Sequence, residues 1–165
     1  MSKIIKALLL ISKIENDQFT NISPCNLNHI LKDRIENLSE LYPSEIRFES
    51  NEDVVLLMDA HLAEVLCDNL LSNAIKYSLP NTPIVIILEK DSLSVRNKGM
   101  RAILKPDQLF QRFYKESDEV KSTGLGLAIV KKICDLYGFQ PSYKYANNEH
   151  HFTVFCSIAQ FFSCF

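Results

Sequence analysis

Ile4, Leu8, Ile11 and Ile14 recur at helical spacing through residues 3–19, so the chain opens with an amphipathic helix for which the sequence shows no partner. Ser23-Pro24 breaks that pattern, and Asn26 is placed to cap a second helix over residues 27–41, with Ile30, Ile35, Leu38 and Leu41 as its buried stripe. After Tyr42-Pro43, the runs IRFES and VVLLM flank the polar turn Asn51-Glu52-Asp53, which predicts two strands joined as a hairpin. Asp59 predicts the N-cap of a third helix over 60–77, ended by Leu79-Pro80-Asn81. Residues 84–88 and 93–95 read as strands around Lys90-Asp91, 125–137 as a fourth helix closed by Gly138, and 142–145 and 152–158 as the last two strands. Between them, residues 98–123 have little regular period and are too many for an ordinary connection, which is the mark of a functional loop. The apolar tail over 161–165 fits no element.

Composition narrows the classes. At 165 residues the chain can bury one core, and 47% hydrophobic with 23% charged residues is ordinary for a folded domain. A formal charge of −2 supplies no global field toward nucleic acid or an anionic membrane, so any anion site must be local. The five cysteines, Cys25, Cys67, Cys134, Cys156 and Cys164, are odd in number and form no C-x-x-C pair, which argues against a disulfide framework and a zinc site. Cys67 and Cys134 sit inside apolar helical patterns and read as core residues of a protein in a reducing cytoplasm. The run Leu8-Leu9-Leu10-Ile11 is too short and too poorly flanked for a signal peptide, and no stretch reaches the ~20 apolar residues of a membrane span. The chain is therefore expected to be soluble.

Candidate chemistry sits in four places. On the third helix, LCDNLLSNAIKYS puts Asn69, Asn73, Lys76 and Tyr77 on one side while Leu66, Leu70, Leu71, Ala74 and Ile75 cover much of the rest. Amides on so apolar a helix need partners, and a carboxamide oxygen beside a lysine suits a magnesium-bridged triphosphate. On this helix alone, asparagines bonded to neighbouring backbone and a solvated lysine read equally well. Next, Ser122-Thr123-Gly124-Leu125-Gly126-Leu127 opens directly into a helix, where backbone N–H groups attract phosphate and glycines let it approach. A plain helix start uses the same residues, but neither a dinucleotide fingerprint nor a Walker-type loop is present. Third, Val95-Arg96-Asn97-Lys98-Gly99 runs a strand into Asn-x-Gly, which alone reads as a turn. Last, Leu109-Phe110-Gln111-Arg112-Phe113-Tyr114-Lys115 reads as a hydrophobic plug compatible with a mobile lid.

Taken in order, DNLLSNAIKYS, VRNKG, LFQRFYK and STGLGLAIVKKI resemble the asparagine box, first glycine box, phenylalanine box and second glycine box of histidine-kinase ATPase domains. These belong with the Bergerat-type ATPases, alongside gyrase, heat-shock protein 90 and the mismatch-repair ATPases. The resemblance implies an α+β two-layer sandwich, a mixed and mostly antiparallel sheet on about three helices with a long ATP lid. It assigns residues 1–20 to the end of a dimerisation and phosphoacceptor helix, because LLLISKIEN is similar to the typical ending of that helix. Residues 21–160 become the ATP-binding domain, with its lid over 98–123.

By the same resemblance, Asn69 is the magnesium ligand, Asn73 lies beside the phosphates, Lys76 contacts phosphate and Tyr77 flanks the nucleoside. Asn97 stands where the family has an aspartate that accepts from the adenine amino group, and Gly99 lets the backbone approach the base. Thr123, Gly124, Leu125, Gly126 and Leu127 would wrap the triphosphate, and Phe110 and Phe113 would anchor the lid. The implied ligands are ATP and Mg2+. The implied partners are the phosphoacceptor domain of the same parent protein and a response-regulator receiver domain, with no nucleic acid. A membrane would be met only through an upstream sensor part, in a parent anchored in the bacterial inner membrane.

Three departures matter. Asn97 keeps an acceptor oxygen but not the charge, so adenine selection should survive while affinity falls. Arg101 replaces the second glycine of its box, which bears on the conformation of that loop. Val65 stands one turn before Asn69 where such ATPases carry an acid, with Glu64 and Asp68 at the wrong angular positions, so intrinsic hydrolysis should be slow. His29, His61, His150 and His151 read as surface or packing residues, none of them a phosphoacceptor. Two other readings share the fold: a nucleotide-dead docking module and a serine kinase of the anti-sigma-factor type. The first would draw on Asn97 and Arg101; the leading helix weighs against the second.

Overall fold

Helices begin where the sequence offers a side-chain oxygen to orphan backbone donors. Asn26 accepts from the His29 N–H at 3.1 Å, and Asp59 accepts from those of His61 and Leu62 at 2.9 and 3.2 Å. Gly138, at φ 71°, closes the last helix with the left-handed turn that a residue without Cβ adopts most cheaply. The computed structural model describes residues 1–40, 42–103, 105–115 and 122–156. Its order is α1 (Lys3–Glu15), β1 (Ile22–Asn26), α2 (Leu27–Ser39), β2 (Ile46–Ser50), β3 (Val55–Asp59), α3 (Ala60–Tyr77), β4 (Ile84–Glu89) and β5 (Ser92–Lys98). It continues with a single 3-10 turn (Pro106–Gln108), α4 (Gly126–Tyr137), β6 (Gln140–Ala146) and β7 (Glu149–Phe155). Leu41, residues 116–121 of the expected lid, the end of the last expected strand and the 161–165 tail with Cys164 lie outside the described residues.

Five strands form one sheet in the order β2-β4-β5-β7-β6, with β2 and β4 parallel and the remaining neighbours antiparallel. Ile84, Ile86 and Leu88 alternate inward along β4 and meet Leu93, Val95, Phe152 and Val154, all at 4% exposure or less. Against this face pack α2, α3 and α4, chiefly through Leu31, Leu62, Leu66, Leu70, Val130 and Ile133. The expected two-layer α+β sandwich with a mixed, mostly antiparallel sheet is therefore what forms.

The hairpin is a correction. β2 leaves toward β4, whereas β3 pairs antiparallel with β1 in a separate two-stranded sheet. Asn28 on α2 explains the divergence: its Nδ2 donates to Ser50 Oγ and Glu52 O at 3.0 Å, and its Oδ1 accepts from the Val54 N–H at 2.8 Å. The linker is held out by a third element instead of folding back on itself. Ser23-Pro24, expected as a break, belongs to β1, since a two-stranded edge tolerates a residue without N–H.

Those same bonds move the buried stripe of α2. Leu27, Asn28 and Leu31 are its buried residues, while Ile30, Ile35 and Leu38 are only half-buried. For α1, the partner that the sequence did not show is α4. Ile11 and Ile14 are 1% and 3% exposed in that contact, while Ile4 stays 43% exposed. Glu15 Oε1 then meets Lys132 Nζ of α4 at 2.8 Å and Arg112 Nη2 of the loop before it at 2.5 Å. The four described cysteines are free and buried, and burial pushes the Cys67, Cys134 and Cys156 thiols up to about 12, as core residues require.

Asn28→Ala removes three hydrogen bonds at a side chain only 5% exposed. The expected loss is about 2–3 kcal/mol of stability in urea unfolding, with the Val54 N–H left unpaired.

Candidate functional site

α3 and α4 pack side by side, and their polar ends open onto one cavity of about 430 Å³. Asn69, Ser72, Asn73, Lys76 and Tyr77 line it from α3; Thr123, Gly124, Leu125, Gly126 and Leu127 line it from the start of α4. The Asn69 Nδ2 donates to the Val65 carbonyl at 2.8 Å within the helix, which leaves Oδ1 to face across. A methyl group on Gly126 would lie 2.9 Å from that oxygen, so the two elements approach as closely as a glycine permits.

The start of α4 is built to leave donors free. Ser122 Oγ and Thr123 Oγ1 accept from the Gly124 and Leu125 N–H groups at 3.2 and 3.3 Å, but no side chain caps the helix itself. Unpaired N–H groups and the helix dipole together give this end a partial positive charge. Gly124 has φ 67°, and a Cβ there would fall 2.8 Å from the Phe113 backbone, whose N–H donates to Gly124 O at 2.8 Å. Glycine is thus required at 124 both by backbone conformation and by the loop pressed against it.

Charge is concentrated in this cavity. Lys3, Lys76, Arg101 and Lys115 all line it, no aspartate or glutamate among the described residues does, and none of the four cations is ion-paired among those residues. The nearest acids on α3 point elsewhere: Arg34 of α2 holds Glu64 at 2.8 Å and Asp68 at 3.6 Å. Burial pushes the Asp68 carboxyl up, with the Arg34 charge opposing. Val65, one turn before Asn69, contributes a carbonyl and no acid.

At the sheet end of the cavity the polar residues are buried. Asn97 is 1% exposed and is not among the lining residues; its Nδ2 makes one long contact of 3.4 Å to Lys98 O, and its Oδ1 has no partner. An orphaned buried acceptor costs on the order of 1–3 kcal/mol until a donor reaches it. Opposite Asn97 across the β5–β7 ladder stands His150, which does line the cavity. Its Nδ1 lies 2.9 Å from the Tyr143 hydroxyl, while Tyr143 accepts from the Ile103 N–H at 3.2 Å and Tyr145 donates to Gly99 O at 3.1 Å. The two tyrosines of β6 thereby fasten the loop that begins at Gly99.

His150 is the residue the sequence reading missed. Strand alternation over 149–155 does place His150 with Phe152 and Val154, but only the pairing of β7 with β5 carries that face to Asn97. Gly99 has a local reason of its own: a Cβ there would fall 2.0 Å from His150 Nε2.

The two phenylalanines divide. Phe110 is half-buried against the core, whereas Phe113 is 55% exposed with φ 64° and is tied through its backbone. Neither lines the cavity; Leu109 and Tyr114 do.

Gly99→Ala should cost about 1–3 kcal/mol by driving out the His150 ring. Combined with His150→Ala, the loss should fall short of the sum of the two single losses by at least about 1 kcal/mol in a double-mutant cycle read by urea unfolding.

Residues 58–159 match the family model described as histidine kinase-, DNA gyrase B- and HSP90-like ATPase. The heme sensor protein HssS of Staphylococcus epidermidis is 33% identical over 144 residues, covering 83% of this chain and 32% of that protein. This chain therefore spans about a third of the length of that relative. Among solved structures, the catalytic domain of histidine kinase ThkA superposes with a TM-score of 0.73 at 26% identity, covering 83% of this chain and 97% of that one. The cytoplasmic segment of histidine kinase QseC shares the fold with a TM-score of 0.70 at 20% identity, covering 95% of this chain and 96% of that one. No described helix is long and apolar enough to cross a membrane. With four boxes in order, one cavity between them and this fold, the chain belongs to the histidine kinase-, DNA gyrase B- and HSP90-like ATPase family, among relatives that are sensor histidine kinases.

Proposed function

We propose that this chain binds Mg-ATP in the cavity between α3 and α4 and serves as the kinase domain of a longer two-component sensor. The observation that carries this reading is the electrostatics of the cavity: among the described residues, four cations without an ion pair, no lining acid, and an uncapped helix start facing a carboxamide oxygen. A polyanion satisfies all of them at once. The polyphosphate would lie against Gly124 and along the free N–H groups of Gly126 and Leu127, beside Asn73 and Lys76, with Tyr77 flanking the nucleoside. The adenine amino group would supply the donor that Asn97 Oδ1 lacks, at the end closed by Gly99 and His150.

The donor set fits magnesium only together with the nucleotide. Among the described residues no group of three or more His, Cys, Asp or Glu could hold a metal, and Asn69 offers one neutral oxygen. Phosphate oxygens and water would complete the coordination, as magnesium prefers, and the ion would neutralise charge on the triphosphate. The protein's share of the work is then positioning and cationic stabilisation by Lys76 and the backbone donors. In the longer protein a histidine nitrogen on the dimerisation helix would attack the γ-phosphorus in line, forming an N–P bond as the bond to the β-phosphate oxygen breaks and ADP leaves. α1 belongs to the end of that helix in this reading. A response-regulator receiver domain would take the phosphoryl group next, on the cytoplasmic side.

Thermal melting tests the binding step. Mg-ATP at 100-fold its dissociation constant should stabilise the chain by about 2.7 kcal/mol, and an unshifted melting curve would leave a docking module in place of a kinase domain. Asn69→Ala should weaken ATP at least about tenfold with magnesium and much less with EDTA, and Asn97→Asp should tighten ATP by restoring a charge-assisted hydrogen bond. Labelled ATP should leave no acid-labile phosphohistidine on the isolated chain, because His150 and His151 are buried and neither of the exposed histidines, His29 and His61, lines the cavity.

A further inference from the structure

α1 precedes the stretch that matches the ATPase family, residues 58–159, yet Lys3 and Ala7 line the cavity with Asn69, Asn73 and Gly126. The register explains how. Lys3, Ala7, Ile11 and Ile14 are spaced four, four and three apart and share one helix face, whose far end is buried on α4. That burial carries the near end out over the cavity. Glu15 locks the arrangement from the other side, reaching Lys132 and Arg112 together. Those contacts hold its carboxyl below the usual range, the Lys132 contact foremost.

Lys3 has no ion-pair partner among the described residues, and it stands with Lys76, Arg101, Lys115 and the positive end of α4 around one space. Like charges at that density repel, so docking α1 there is disfavoured by the empty cavity and favoured by a filled one. Lys6, equally exposed one turn on, does not line the cavity.

Resting on the Mg-ATP reading, we infer that α1 completes the nucleotide site: Lys3 is a further phosphate-contacting residue supplied by a helix outside the ATPase match, and Glu15 is the positioning residue that keeps it there. The polyphosphate and the docked helix then favour each other by the same factor, so nucleotide occupancy is read directly by α1.

The test uses the whole 165-residue chain and isothermal titration with Mg-ATP and with adenosine. Lys3→Gln should weaken Mg-ATP about fivefold and leave adenosine unchanged, Lys3→Arg should restore affinity, and Lys6→Gln should stay within about twofold of the parent, as expected for one partly screened contact. Glu15→Gln should weaken Mg-ATP about threefold alone and add little in the Lys3→Gln background, since both act through one contact. Hydrogen exchange of α1 amides should slow when Mg-ATP is added to the parent and not when adenosine is added. Parent-like Mg-ATP affinity in Lys3→Gln, or an equal loss for adenosine, overturns the inference while the Mg-ATP reading stands. Failure of the parent chain to bind Mg-ATP removes that reading and the inference with it.

Discussion

Positive charge without a counter-charge among the described residues is the constraint on which the site depends. Along α3, residues that face the core are apolar, and those that face the cavity are amides, a hydroxyl and a lysine. Along α4, the first turn offers N–H groups with no side-chain cap. Either helix alone would present these groups to water at little cost. Packed together, with Asn69 Oδ1 set against Gly126, they create a space in which every charged side chain among the described lining residues has one sign. Of the described acids on α3, Glu64 and Asp68 are drawn to the α2 side by Arg34.

Fold and site are coupled through three glycine positions that each answer a local crowding. At Gly126 the crowding atom is the carboxamide oxygen of α3, at Gly124 the backbone of the preceding loop, and at Gly99 the ring of His150. Replacing any of them moves a wall of the cavity. Tyr143 and Tyr145 extend the same logic to the loop after β5, where their hydroxyls hold Ile103 and Gly99 to the outer strand of the sheet. The loop after β5 is therefore anchored at its root by β6 and, at residues 109–114, by Leu109, Phe110, Tyr114 and the Phe113 backbone.

α1 shows how a helix outside the family match becomes part of this system. Its apolar stripe was legible from the recurrence of Ile4, Leu8, Ile11 and Ile14, but the partner was not, because α4 lies more than a hundred residues away. Once Ile11 and Ile14 are buried there, the near end of the helix, with Lys3, comes to line the cavity. The hairpin expected around Asn51-Glu52-Asp53 failed for the converse reason: the turn chemistry was read correctly as polar and local, yet Asn28, a residue of another element, captures the linker and sends β2 and β3 into different sheets.

Local patterns were sufficient wherever the deciding interaction spans a few residues. The caps at Asn26, Asp59 and Gly138, the extent of α3 and α4 and the strand alternation all rest on 3.6- and 2-residue periodicities or on contacts within a few residues. The amide and glycine motifs stood out through the resemblance of four ordered boxes to a family. The residues decided only by tertiary structure are those whose partners are distant in sequence. His150 against Gly99, Asn97 with its unsatisfied oxygen, Asn28 across the β2–β3 linker, and Lys3 at the cavity rim all fall in this group. Sequence alone determined which groups this protein carries and, α2 apart, the face on which each helix carries them. Folding decided which faces meet, because burial and strand pairing act between segments whose separation along the chain leaves no local trace.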